Sequence, residues 1–210
     1  MRQDDSKSSR LVVLGASGGT GRAVVDVALR AGHAVTAVVR RADAIPPAPG
    51  LTVAVLPVLT GLASVVAGHH AIISALGASA PGPSTVCSGG IRAALLAMEE
   101  TSVRRLVAVS AHGAAESRDR SLYSLLLWAS VKHKMRDKEV MEALIRQSDV
   151  DWTIVRPPAL KDTPATGGYR TGTDLRITVT SSVSRADLAE FLVGEAVRPA
   201  FLRQAPGIAA

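Results

Sequence analysis

Apolar residues in this chain gather into short unbroken runs, and the stretches between them carry apolar positions at helical spacing. The runs at 11–15 (LVVLG), 34–39 (AVTAVV), 51–56 (LTVAVL), 71–76 (AIISAL) and 105–110 (RLVAVS) are each predicted as strands. A strand buried on both faces reads as a continuous apolar run, not as an alternation. Between the first two, 19–31 places Val24, Val25, Ala28 and Leu29 on one helical face, with Gly32 at the C-cap. Further helices are predicted at 61–68, 86–100, 122–129 and 134–147. A sixth strand at 152–158 is stopped by prolines, which cannot donate to a ladder. A seventh is predicted at 175–180, and Ser184 as N-cap opens a last helix over 185–197. Alternating strands and helices predict an α/β, single-domain Rossmann-type doubly wound parallel sheet with helices on both faces. Residues 1–10 are polar and read as a flexible tail, and 11–210 as one domain with a small C-terminal substrate-loop region.

The first strand-to-helix turn carries the most informative motif. Gly15-Ala16-Ser17-Gly18-Gly19 fits G-x-S-x-G, the nucleophile elbow of serine hydrolases. Extended to Gly21, it becomes G-x-x-G-x-x-G, a loop whose backbone N–H groups seat a dinucleotide's phosphates at a helix N-terminus. An elbow belongs deeper in a larger sheet, and a nucleophile leaves Gly21 without a role. The following helix and second strand complete a βαβ unit, so the loop reads as a cradle with Ser17 on a phosphate. An NAD site carries an acid near the end of the second strand. Here Arg40 and Arg41 occupy that place, with no acid before Asp43. A guanidinium grips a 2′-phosphate and a carboxylate repels one, so NADP(H) is preferred over NAD(H).

Composition narrows the partners. The formal charge is +6, but the basic residues are scattered, and two Phe, two Tyr and two Trp build no stacking platform, so no nucleic acid is expected. No run approaches the length of a membrane span. Cys87 is the lone cysteine and the first ten residues lack a signal-peptide core, which together imply a cytoplasmic protein.

The segments GASGGTG, ISALGAS, LVAVSA and DVDWTIVRPPAL, in this order, resemble the atypical short-chain dehydrogenase/reductases with an NAD(P)-binding domain. LLLW, RPPALKDTPATGGYRT and SSVSRADLAEFLV are most similar to the biliverdin-IXβ reductase/flavin reductase branch, and the resemblance covers about 10–197. It implies hydride transfer from NADPH to a small conjugated acceptor, whether flavin, bilin or quinone-like. By the same resemblance Ser17, Gly18, Gly19 and Thr20 hold the pyrophosphate and Arg40 the 2′-phosphate; the glycine motif adds Gly15 and Gly21 as loop-shaping residues, and the charge argument adds Arg41. Leu76 and Gly77 lie along the cofactor, and Ser110, Pro157, Pro158 and Ala159 near the nicotinamide. Pro57 stands where the family often has an Asp near the adenine. The resemblance further implies a monomer or weak homodimer.

Ordinary short-chain dehydrogenases use Tyr-x-x-x-Lys. Here Lys134 occupies the tyrosine position before Lys138, and Tyr123 is followed four residues on by Leu127. Lys138 matches the family lysine by its spacing to Glu142 and DWTIVRPP. The catalytic candidates are Ser110, to bond acceptor or nicotinamide, and Lys138, to bond the ribose or stabilise developing charge. With no clear general acid, an acceptor that takes its proton from water fits best. His112 is either a proton donor or an exposed loop histidine; His69 and His70 point apart, so no metal is assigned. Gly167-Gly168, before Tyr169 and Arg170, is either the hinge of a closing loop or a surface turn. The alternatives are an NmrA-like sensor that binds cofactor without turnover and, ranked last, a sugar-nucleotide epimerase or dehydratase.

Overall fold

In the computed structural model, which describes residues 8–118 and 122–210, the apolar runs assemble side by side. The strands are β1 (Arg10–Leu14), β2 (Ala34–Val39), β3 (Leu51–Val55), β4 (Ala71–Ser74), β5 (Arg105–Val109) and β6 (Asp151–Val155). They form one sheet in the order β3-β2-β1-β4-β5-β6, parallel throughout. The order reverses between β1 and β4, and a crevice opens there at the carboxyl ends of the strands.

The helices are α1 (Gly19–Arg30), α2 (Leu62–Val66), α3 (Val86–Glu99), α4 (Leu122–Gln147) and α5 (Arg185–Val197). On one face Val24, Val25 and Ala28 of α1 and Leu188 and Leu192 of α5 pack with Leu11, Val13, Ile73 and Val107. On the other, Ile91, Ala94 and Met98 of α3 and Met141 and Ile145 of α4 meet Val12, Leu14, Ile72 and Leu106. Branched aliphatics fill both layers, which is how so few aromatics suffice. α4 contains a break at Val131 (φ −134°, ψ 33°), between the two helices predicted at 122–129 and 134–147. Ser184 caps α5 as expected, its Oγ accepting the Asp187 N–H.

Two expectations change. The tail expected over 1–10 ends earlier, because Arg10 opens β1, and Ser8 Oγ donates to Gly32 O at 2.8 Å. Residues 1–7 lie outside the described residues. The strand expected at 175–180 does not form. Thr178 N–H donates to Ser181 Oγ at 3.0 Å and Ser181 N–H to Thr178 O at 3.1 Å, so local hydroxyl bonds close a turn instead. Short strands border it: β7 (Ala159–Lys161) pairs with β9 (Ser182–Ser184), and β8 (Arg170–Gly172) with β10 (Gly207–Ala209). Ile208 and Ala209 in β10 are fully enclosed, so the C-terminal strand seals the α1/α5 layer. Among the described residues no helix is long and apolar enough to cross a membrane.

Candidate cofactor-binding site

The turn after β1 is built by three close approaches. Gly15 has φ +76°, and a Cβ there would lie 2.9 Å from Ala75 O. Gly18 N–H donates to Gly15 O at 3.0 Å. A Cβ on Gly21 would come within 2.1 Å of Gly15 O, so Gly21 lets α1 settle onto the turn. Gly18 is the N-cap of α1 without a side-chain cap, and no acid lies in the first turn. The first N–H groups and the positive end of the helix dipole are therefore left for an anion. Ser17 and Gly18 line the crevice with Gly15, and no histidine is among its described lining residues, so the nucleophile reading of Ser17 gains no support.

Beside the cradle, Arg40 and Arg41 line a depression of about 490 Å³ with Ser17, Asp43 and a residue the motif reading missed, Arg22. Arg22 is pinned there: Nε donates to Ser17 O at 3.1 Å and Nη2 to Ala44 O at 3.0 Å. Among the described residues Asp43 pairs with Arg41 alone, at 3.4 Å and largely in solvent, a contact of little strength. Three guanidiniums and one carboxylate thus line this depression.

The crevice continues as a cleft of about 1130 Å³, whose wall includes Val38, Pro57, Leu76 and Gly77. Leu76 lies flat on α3 because Gly90 has no side chain; a Cβ there would be 2.1 Å from Leu76 Cδ1. Pro57 gives that part of the wall an apolar surface.

At the end of β5, Ser110 is 3% exposed and its Oγ has no hydrogen-bond partner. A buried hydroxyl left unpaired is costly, so this one fits a ligand group such as a carboxamide. Lys138 joins it: Nζ donates to Val109 O and to Ser110 O, both at 3.1 Å. Ser74 Oγ on β4 is likewise buried and unpartnered, a second hydroxyl the motif reading missed.

Asp137, next to Lys138, caps α3 from α4. It accepts the Cys87 and Ser88 N–H groups at 2.9 Å each and the Ser88 hydroxyl at 2.6 Å. Burial alone pushes its carboxyl up, but these bonds together hold it below the usual aspartate value. Cys87 Sγ lies 3.4 Å from Leu76 O, and burial pushes the thiol up despite the Lys138 charge, so it stays neutral.

The β6 end is held from beneath. Arg156 bonds both carboxylate oxygens of Glu142 and, at 2.9 Å, Glu116, while His112 N–H donates to Pro157 O at 2.9 Å. Burial raises Glu116, yet the Arg156 hydrogen bond, with the charges of Arg156 and Arg146, brings it down to about 2. Pro157 and Pro158 are buried, and Ala159, exposed, opens β7. The Gly167-Gly168 turn is tied down, since Asp187 accepts the Thr166 and Gly167 N–H groups at 2.9 Å each. His69 bonds Thr36 Oγ1 at 2.9 Å, and His70 accepts Arg10 N–H at 2.9 Å, on separate partners.

Of the residues expected at the site, Gly15, Ser17, Gly18, Arg40, Leu76 and Gly77 line the cleft and Arg41 the adjoining depression. Gly19 and Thr20 form the first turn of α1 without lining either, and Gly21 acts through packing. Ser110 and Lys138 form their own group at the end of β5, and neither they nor Pro157, Pro158 and Ala159 line the cleft or the depression.

Comparison with known proteins finds the same fold in several solved structures. ChuY, an anaerobillin reductase from Escherichia coli O157:H7, is 24% identical, with a TM-score of 0.79 over 95% of this chain and 96% of its own. SP1627 of Streptococcus pneumoniae, provisionally assigned as an NADH-flavin reductase, is 23% identical, with a TM-score of 0.79 over 96% and 99%. A short-chain dehydrogenase/reductase of Veillonella parvula in complex with NADP is 16% identical, with a TM-score of 0.80 over 96% and 94%. These likenesses establish the fold. The NAD(P)H-binding family model matches residues 15–199, from the glycine turn to just beyond α5, and the chain belongs to that family.

Proposed function

We propose that this protein is an NADPH-dependent reductase that delivers hydride to a small conjugated acceptor of the flavin, bilin or quinone-like class. The observation that supports the reading is the charge beside the glycine turn: three guanidiniums line the depression that adjoins the uncapped N-terminus of α1. Arg22, Arg40 and Arg41 select the 2′-phosphate, and the uncapped N-terminus of α1 holds the diphosphate. Bound NADPH supplies the hydride. Ser110 orients the nicotinamide or the acceptor through its hydroxyl. Lys138, held by two strand-end carbonyls, fixes Ser110 in place and adds positive charge where the acceptor gains electrons. Proximity then does most of the work, and a reduced conjugated ring takes its proton from water. ChuY and SP1627 are described as reductases of such acceptors, which supports the same class here.

The test follows NADPH oxidation at 340 nm with FMN, a small quinone and biliverdin supplied separately, and NADH in parallel. Acceptor-dependent oxidation that favours NADPH is expected. Tight NADPH binding with no turnover on any of the three would turn the reading toward a sensor.

A further inference from the structure

Gly19 is the first residue of α1, and the group nearest its missing side chain is a cation from the far end of the chain. A Cβ on Gly19 would lie 3.0 Å from Arg185 Nε, 3.2 Å from Cδ and 3.7 Å from Cζ. The Arg185 guanidinium therefore rests against the first turn of α1, the turn whose N–H groups have no cap. We propose that Arg185 is a ligand of the cofactor's diphosphate, closing from α5 the cradle that α1 opens. The proposal rests on the dinucleotide reading of the crevice and assigns to it a residue that the glycine motif does not contain.

Three features of Arg185 support this. Its backbone is fixed, because it directly follows the capping Ser184, and Asp187 two residues on ties α5 to Thr166 and Gly167. Among the described residues its side chain has a single hydrogen-bond partner: Nη1 donates to Asp162 Oδ1 at 2.6 Å, and Nε faces Gly19. The Asp162 side chain is 84% exposed, so that ion pair contributes little to the fold, and it orients a guanidinium whose remaining N–H groups stay available. Third, β9 runs parallel to β7 and ends at Ser184 opposite Lys161, so Arg185 emerges beside Asp162 and spans from there to the glycine turn at Gly19. A side chain at position 19 would displace it, which explains a glycine there in an ordinary helical conformation that any residue adopts.

The test measures NADPH and 2′-AMP binding to the full chain, by calorimetry, for wild type, Arg185→Gln and Arg185→Lys. 2′-AMP carries the adenine, ribose and 2′-phosphate without the diphosphate. Arg185→Gln is expected to raise the Kd for NADPH at least tenfold, to leave that for 2′-AMP within twofold, and to flatten the salt dependence of NADPH binding. Arg185→Lys, which keeps the charge but loses the fork, falls between. Unchanged NADPH affinity in Arg185→Gln overturns the proposal, as does an equal loss of NADPH and 2′-AMP, which would mean general damage. Wild type that binds neither ligand removes the dinucleotide reading itself, and the proposal with it.

Discussion

At the scale of single residues, the site separates groups that hold the fold from groups that await a ligand. Ser110 Oγ is buried without a partner, so it adds nothing to stability that its removal would forfeit. Ser110→Ala is therefore expected to keep or slightly raise the melting temperature while lowering kcat/KM about tenfold or more, the scale of one lost oriented hydrogen bond. A variant that loses stability and activity together would make Ser110 structural. Gly21 is the opposite case. The 2.1 Å approach to Gly15 O is to backbone, which cannot step aside, so Gly21→Ala should destabilise by about 2–4 kcal/mol in denaturant unfolding. Gly18→Ala meets the same oxygen only at 3.4 Å and should fold near wild type. Gly15, Gly18, Gly21 and Arg40 were legible in the sequence because one loop and one strand end place them together at short spacing. Arg22 was hidden inside that same stretch, since a basic residue on a first helical turn looks like any solvated arginine until its two carbonyl partners are known. Arg185 gave no signal, because nothing in its own neighbourhood announces a partner near the start of the chain.

At the scale of elements, the proposed function has α1 serve twice, its N-terminus for a diphosphate and Arg22 for a 2′-phosphate. Replacing Arg22 with Ala should raise the KM for NADPH about tenfold and leave that for NADH unchanged, since one bidentate phosphate contact is worth about 1.5–3 kcal/mol. An equal loss for both cofactors would place Arg22 on the diphosphate or the fold. α3 begins with a borrowed cap, and Asp137→Ala strips the carboxylate from two N–H groups and a hydroxyl. A loss of about 1–3 kcal/mol in denaturant unfolding is expected, and a change within error would show that the α3 start satisfies itself. The strands of the sheet were legible because burial on both faces imposes continuous apolar runs. The region after β6 was not. Residues 175–180 alternate like a strand, yet their hydroxyls bond one another, and the strands that do form there are too short to impose a pattern.

At the scale of the whole molecule, ionisation ties the two ends of the sheet to pH in one direction. At the amino ends of the strands, Ser9 N–H donates to His33 Nδ1 at 3.2 Å, which requires that nitrogen to be unprotonated. Burial first, and the His70 charge second, hold the His33 pKa below its ordinary value of 6.5. The unfolded chain thus takes up this proton before the folded one does. The contribution of His33 is complete above about pH 6.5 and fades as pH falls toward the lower folded value. At the carboxyl ends, Glu116 is held near 2, and Asp137 and Asp187 below the usual aspartate value, so their contributions are complete above the unfolded carboxylate pKa values and are lost below them. The melting temperature should therefore fall in two stages on acidification, first below about pH 6.5 and then below about pH 4.5. His33→Gln should remove the first stage and keep the second, because a glutamine carbonyl accepts the Ser9 N–H without titrating. Thermal unfolding followed by circular dichroism from pH 8 to 3 checks both. A wild-type profile flat from pH 7 to 5, or a first stage that survives in His33→Gln, would show that the Ser9–His33 bond does not couple β1 to pH.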